Sequence, residues 1–425
     1  MEVENLLSDL IKIQSVNPPG GETAVANYLK RLFDRLHIPN EIIADNTGRG
    51  SFIATIGKGE RRLLFLSHVD VVPVSNNWDF QPFSGDIKDG FVYGRGALDC
   101  KGLTAAEVYA TIQLAQSGKL NGKLILAATA DEEAGGAHGV EYIVKNYKDK
   151  LMADFCVNEG GAAPLQVGDK VCHFIQTGEK GIAWWHMKTK GTSAHGSIPW
   201  LGDNAVVKMS RIITGLADYK PQVILIPEVK QLIQQIAALK GVTIPITKAN
   251  LPKIIPLLGD RIFSVYLTAC TRMSVSPNMV QGGLKTNIVP DSCEADLDTR
   301  LLPGQDREYV LNEFKNVLKD TEITSTQYFP PTFSTSDTPY YRLMVETLKE
   351  FVGNSPVVPS ISTGASDSRF LRDEGVPCYG ISMMALNFDP AMEGTVHGKN
   401  EKIDIPSLKL KTNFLIRLAK KYLGS

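Results

Sequence analysis

No C-x-x-C pair occurs in this chain: Cys100, Cys156, Cys172, Cys270, Cys293 and Cys378 are scattered through 425 residues. That spacing excludes a disulfide framework of the kind small secreted domains use. Buried free thiols in a reducing compartment are expected instead. Long hydrophobic runs are missing too, so no transmembrane helix is expected. The opening stretch MEVENLLSDLIKIQSV is acidic and amphipathic. It lacks the basic flank and cleavage site of a signal peptide, which makes a cytoplasmic protein the expectation. Neither sign of charge dominates, since 45 Lys+Arg against 46 Asp+Glu leave a net charge of −1. A nucleic acid or an anionic membrane would find no basic surface implied by composition, and neither is expected as a partner. There is no G-x-S-x-G elbow to suggest a serine hydrolase. There is no P-loop, no internal repeat and no low-complexity linker.

What the chain does have is an ordinary globular composition, 43% hydrophobic and 21% charged, with length enough for two or three domains. Short apolar runs alternate with helical patterns over the first 180 residues. RRLLFLS (61–67), KLILAATA (123–130) and DFCVN (154–158) read as buried strands. ETAVANYLKRLFDRL (22–36) and KGLTAAEVYATIQLAQ (101–116) read as amphipathic helices. This alternation implies an α/β sheet flanked by helices. From about 182 the style changes to a half-exposed strand (GIAWWHMKTKG), helices at 203–218 and 227–241 and a strand at 292–300. The α/β style then returns with a helix at 338–352, a strand at 377–382 and a final helix at 406–423. One domain (182–322) is therefore read as inserted into another (1–181 and 323–425).

The unusual polar residues of the first domain follow its strands. His68 and Asp70 follow the run at 61–67, Asp131, Glu132 and Glu133 the run at 123–130, and Glu159 the run at 154–158. Asp99 sits in YGRGALDCKG, just before the helix near Lys101. Ligands of open α/β sheets bind outside the carboxyl ends of the strands. So much negative charge on one rim calls for a cation. Imidazole mixed with carboxylate suits Zn²⁺, Co²⁺ or Mn²⁺ better than Ca²⁺, which takes oxygen alone. The Asp of H-x-D is placed to hold the other imidazole nitrogen. Each residue has a bland reading as well, a solvated turn or a satisfied histidine, but four such coincidences on one rim weigh against it.

SHVDVVP, GRGALDCKG, ADEEAGG, VNEGG, KGTSAHGSIP, KTNIVP, STGASDSRFLRDEGVP and VHGKNEKI occur in that order along nearly the whole chain. In this the sequence resembles the co-catalytic zinc hydrolases that include aminoacylase, carboxypeptidase G, acetylornithine deacetylase and succinyl-diaminopimelate desuccinylase. The resemblance implies an aminopeptidase-like catalytic domain holding two divalent metals, and an inserted α+β lid that mediates dimerisation. It implies Asp99 as the carboxylate bridging both metals. His68 and Glu159 would complete one site, and Glu133 and His397 the other. Glu132 would be the general base, with Asp70 orienting His68. Two departures stand out. Cys100 replaces the Met usual beside the bridging Asp, and the lid carries extra sequence at roughly 219–262.

The implied activity is hydrolysis of an amide bond in an N-acyl amino acid or short peptide with a free carboxylate. Two metals lower the pKa of water and polarise a carbonyl, while Glu132 moves the proton. His195 in GTSAHGSIP, placed by the family on the lid, would stabilise the oxyanion across a dimer, and Asn287 in KTNIVP would bind the substrate or join the oxyanion. The turn at Gly364 and the guanidinium of Arg369 suit the substrate carboxylate. The alternative for Arg369 is a surface pair with Asp373 at i+4. His138 reads as structural. Two other classes compete: a non-catalytic binding protein retaining the fold, and a two-metal phosphoesterase. Complete ligands and base argue against the first, and the scarcity of Lys and Arg in these motifs against the second.

Overall fold

In the computed structural model, which describes residues 2–424 apart from 119, 168, 169 and 320, the chain divides into two compact units. Met1–Thr177, Ser334–Ser360 and Ser366–Ser425 form the larger, and Gly178–Phe333 with Ile361–Ala365 the smaller. The chain returns to the larger unit after Phe333 rather than at 323. The reason is that Thr321–Phe329, a segment of modest hydrophobicity, is an edge strand of the smaller unit's sheet.

Across the larger unit's sheet run Asn40–Ala44, Gly50–Gly57, Lys123–Thr129, Arg62–His68, Phe155–Asn158, Cys378–Ile381 and Lys170–Glu179. The pairings that join Lys123–Thr129, Arg62–His68, Phe155–Asn158 and Cys378–Ile381 are parallel, and those outside them are antiparallel. Side chains alternate across a strand, so Leu63 and Phe65 enter one core while Leu64 and Leu66 enter the other. Helices cover both faces, which is why these strands read as continuous apolar runs. Val3–Lys12, Lys101–Ser117 and Ile405–Leu423 lie on one face, Val140–Tyr147 and Ser368–Asp373 on the other. Burying each such Leu fully contributes about 1.5–3 kcal/mol. Lys101–Ser117 is buried nearly all round rather than amphipathic. It is packed between the sheet and two helices, and Ala105, Ala106 and Ala110 permit the close approach. It stops at Gly118, whose φ of 65° is the left-handed conformation of a helix C-terminus.

The smaller unit has a four-stranded sheet ordered Ser274–Gly282, Ser292–Leu301, Gly181–Lys190 and Thr321–Phe329, antiparallel throughout. One face packs on Ala205–Asp218 and Arg307–Phe314 through Trp185, Met187, Leu297, Met209, Ile212 and Phe314. The extra lid sequence folds as the helices Pro227–Leu239, Leu251–Leu258 and Arg261–Ala269, which bury Leu232, Ile236, Ile254, Leu258 and Leu267. The six cysteines are free and buried. Among the described residues no helix is long and apolar enough to cross a membrane.

Candidate metal centre

Parallel strands deliver their carboxyl ends to one edge of a sheet. His68 is the last residue of Arg62–His68, and register sets it beside Thr129, from which the acidic loop departs. Glu159 directly follows Phe155–Asn158. Asp99 comes from the turn before Lys101–Ser117, and His397 from the turn after the short helix Pro390–Thr395. These four residues and Glu133 of the acidic loop meet within the larger unit. His68 Nε2 lies 3.1 Å from Asp99 Oδ1 and 3.7 Å from Glu159 Oε1. His397 Nε2 lies 2.9 Å from Asp99 Oδ2 and 3.2 Å from Glu133 Oε2. Asp99 thus turns one oxygen toward each imidazole.

Buried partners hold these groups from behind. His68 Nδ1 lies 3.0 Å from the backbone oxygen of Asp70 and 3.4 Å from its carboxylate. That carboxylate accepts the backbone N–H groups of Glu132 and Glu133 at 3.2 and 3.1 Å, and Asn17 Nδ2 at 2.8 Å. Asp70 therefore serves the acidic loop as much as the imidazole. Glu401, fully buried, accepts the N–H groups of Gly96, Leu98 and Asp99. Arg95 pairs with it at 2.7 Å and donates to the carbonyl of Gly398, tying the Asp99 turn to the His397 turn.

The electrostatics describe a site that attracts positive charge. Hydrogen bonds to Asp99 and Glu133 push His397 up to about 10. Burial opposes charge on His68, yet the negative groups around it, Glu159, Asp70 and Asp99 among them, hold its imidazole well above the ordinary value. Burial would raise Asp99, but its hydrogen bonds to His397 and His68 hold it below the usual carboxylate range. Burial, with Asp99 and Glu133 nearby, pushes Glu159 up to about 8. Burial and then Glu159 push Glu132 well above its ordinary value. Only neutral imidazole and ionised carboxylate ligate metal, so a cation entering here displaces protons. His, Asp and Glu at these distances fit a transition metal of the zinc kind. Cys100 Sγ is also within ligand range of His68 and Glu159, but it points at the backbone oxygen of His68, 3.3 Å away.

The substrate residues expected from the sequence are distributed differently. His195 and Asn287 are neighbours in the smaller unit: His195 pairs with Ile288 in register, and the N–H of Gly196 donates to the carbonyl of Asn287 at 2.8 Å. His195 is exposed, and its Nδ1 lies 2.8 Å from Ser197 Oγ. Gly364 belongs to the smaller unit's short segment Ile361–Ala365. Arg369 is in the larger unit, only 5% exposed. Its Nη2 donates to the carbonyl of Gly135 at 2.7 Å and its Nη1 to that of Ser366 at 3.2 Å. Arg369 is therefore not the exposed surface pair with Asp373. The guanidinium braces the acidic loop, because the helix Ser368–Asp373 packs with Arg369 inward. His138 is structural in its contacts, its Nδ1 2.5 Å from Asp45 Oδ2.

Three residues at the site were not singled out from sequence. Asp367, buried and bonded to Thr129 Oγ1 at 3.1 Å, stands close enough to raise Glu132 and Glu159. Its place two residues before Arg369 in the quoted motif was a usable signal. Arg95 and Glu401 likewise sit inside GRGALDCKG and VHGKNEKI, but only folding reveals that they pair.

Residues 64–421 match the model of peptidase family M20/M25/M40, and the chain belongs to that family of hydrolases. It is 28% identical over 380 residues to a probable succinyl-diaminopimelate desuccinylase of Staphylococcus aureus strain MRSA252, covering 87% of this chain and 86% of that one. Its fold matches that of an M20 family metallo-carboxypeptidase, Sso-CP2 from Sulfolobus solfataricus, with a TM-score of 0.77 at 24% identity over 99% of each chain. It also matches Bacillus subtilis YXEP, titled a dinuclear metal binding peptidase, with a TM-score of 0.62 at 16% identity over 99% of this chain and 97% of that one.

Proposed function

We propose that this chain is a two-metal hydrolase that cleaves the amide bond of an N-acyl amino acid or short peptide with a free carboxylate. The observation that carries this reading is Asp99, with one oxygen 3.1 Å from His68 and the other 2.9 Å from His397. A carboxylate shared in this way suits two cations, zinc or else cobalt or manganese. His68, Asp99 and Glu159 would hold one, and His397, Asp99 and Glu133 the other. Such ions supply Lewis acidity to a carbonyl and make water a better acid. The protein's own contribution is to place a base beside them.

Glu132 stands three residues past the strand end at Thr129, with its N–H bonded to Asp70 Oδ1 at 3.2 Å. It takes the proton of the attacking water on its carboxylate and delivers it to the leaving nitrogen. Burial raises its carboxyl, which suits the half of the cycle in which it must hold that proton. His195 and Asn287 would donate to the oxyanion. The turn at Gly364 would receive the substrate carboxylate with backbone N–H groups, and Arg369 would hold the acidic loop in place. A homodimer through the smaller unit is part of the proposal. Its edge strand Ser274–Gly282 exposes Met279 by 66% and Val280 by 62%, an apolar edge that isolated proteins avoid leaving open.

The test is a matched panel of N-acyl amino acids and dipeptides, assayed after exhaustive chelation and after adding back Zn²⁺, Co²⁺ or Mn²⁺. Activity is expected to vanish and return. Full activity in metal-free protein overturns the reading.

A further inference from the structure

Three carboxylates in a row must be carried on a backbone that does not yield to their repulsion, and Asp131 is the residue by which that backbone is held. Its side chain points inward, leaving it 1% exposed. Its φ is 74°, in the left-handed region where a residue other than glycine persists only if its surroundings hold it. Glu132 and Glu133 begin a single helical turn directly after it. Any change in Asp131 therefore redirects both.

The grip on Asp131 comes from the N-terminal part of the chain. Its Oδ1 accepts from an Arg49 terminal nitrogen and from Asn17 Nδ2, and its Oδ2 accepts the N–H of His138 at 2.9 Å. Asn17 also donates to Asp70, which in turn holds the N–H groups of Glu132 and Glu133. Arg49 spreads its remaining donors over Glu22, itself 1% exposed. Gly20 makes the space: a Cβ there would stand 2.8 Å from Arg49 Nε, and its φ of +97° suits glycine alone. The turn that carries Arg49 touches the loop a second time, through Asp45 on the ring of His138. Asn17, Gly20, Glu22 and Arg49 all precede residue 64, where the family match begins.

We propose that Arg49, supported by Asn17, is a positioning residue for the hydrolytic site, aiming Glu133 at its cation and Glu132 at the water through Asp131. This rests on the assignment of Glu133 as a ligand and Glu132 as the base. The geometry makes the effect local. The loop carries a ligand of the His397 position and none of the other pair, since His68 and Glu159 are fixed by their own strands. Lysine at 49 keeps the charge but cannot reach Glu22 and Asp131 together, because it lacks the planar fork of donors.

The experiment is a Co²⁺ titration of metal-free wild type, Arg49→Lys and Asn17→Ala, followed by visible absorption, with Tm recorded for each. Wild type is expected to bind two ions. Arg49→Lys is expected to weaken one site by about 10–100-fold, the range for losing a partner that orients a ligand, and to leave the other unchanged. Asn17→Ala should weaken the same site by less, with any effect on the other site passing through Asp70 to His68, and it guards against misfolding of the arginine variant. Two unchanged sites with a lowered Tm would make Arg49 merely structural and overturn the inference while the two-metal reading stands. Equal weakening of both sites overturns it as well, because the effect is then global. Fewer than two ions in wild type overturns the metal reading, and the inference falls with it.

Discussion

His, Asp and Glu cluster in both units of this protein, with opposite consequences. In the smaller unit His186, Asp296, Glu294 and Lys188 line the open face of the sheet, with His186 Nδ1 2.8 Å from Asp296 and Lys188 Nζ 2.7 Å from Glu294. All four side chains are more than a third exposed, and a lysine balances the carboxylates. In the larger unit His68, His397, Asp99, Glu133 and Glu159 converge at 2.9–3.7 Å, but His68 is buried and no lysine or arginine salt bridge reaches the three carboxylates among the described residues. Solvent screens the first group and leaves only ordinary surface pairs. The second is shielded from solvent and answered only by histidines and protons, which an entering cation displaces. Residue type does not separate the two clusters. Burial and the absence of a lysine or arginine partner among the described residues do.

The largest contrast should appear in turnover. Glu132→Gln is expected to lower kcat by about 10²–10⁴-fold with metal content unchanged, whereas Glu294→Gln on the open face should leave kcat alone. Near-normal turnover in Glu132→Gln would sink the base assignment. Loss of metal from it would mean that Glu132 and Glu133 have exchanged roles.

In stability, Leu64→Ala in the doubly covered sheet should cost about 2–5 kcal/mol in denaturant unfolding. Asp296→Ala, on the half-open sheet, should cost about 0–1 kcal/mol. Similar costs at the two positions would erase the distinction between the sheets.

A pH experiment sharpens the comparison from the buried side of the smaller unit. Lys180 donates to the carbonyls of Ala269 and Arg272 and to Ser274 Oγ, and burial lowers it to about 8. The unfolded chain keeps that proton up to the ordinary lysine value of 10.5. Between those values the unfolded state binds more protons, so stability rises with pH across the window. Lys180→Met should flatten the rise in Tm over that range. An unchanged slope would show that Lys180 is not depressed.

The smallest effect on stability belongs to the exposed edge. Met279→Asp should change unfolding free energy by no more than about 0.5 kcal/mol per chain, as for an exposed surface position. It should nonetheless convert a dimer to a monomer in sedimentation. Wild-type protein that is already monomeric removes the proposed dimer.

Much of this was legible in one dimension. The strands at 61–67, 123–130 and 154–158 announced themselves because burial on both faces demands unbroken apolar runs, and His68, Glu133 and Glu159 were legible because they lie at the ends of such runs. Ser274–Gly282 and Thr321–Phe329 gave no comparable signal: one lies on a largely exposed edge, and the other alternates half-buried with exposed residues and buries none fully. The sequence around Arg369 did not show where its fork points, because an arginine after a glycine-containing turn reads the same whether it meets a substrate or the carbonyl of Gly135.

By itself the sequence determined the alternation of elements, the insertion of one unit in another, and the residue types gathered at the strand ends. These follow from hydrophobic period and chain order, which are local. Only the tertiary structure decided that Asp99 offers one oxygen to each of two histidines, that Arg49 and Asn17 hold Asp131 from 82 and 114 residues away, and that Arg95 meets Glu401 across 306. Such contacts depend on where distant segments stop in space. No local propensity encodes that, because the free energy that fixes it comes from burying the cores the segments share.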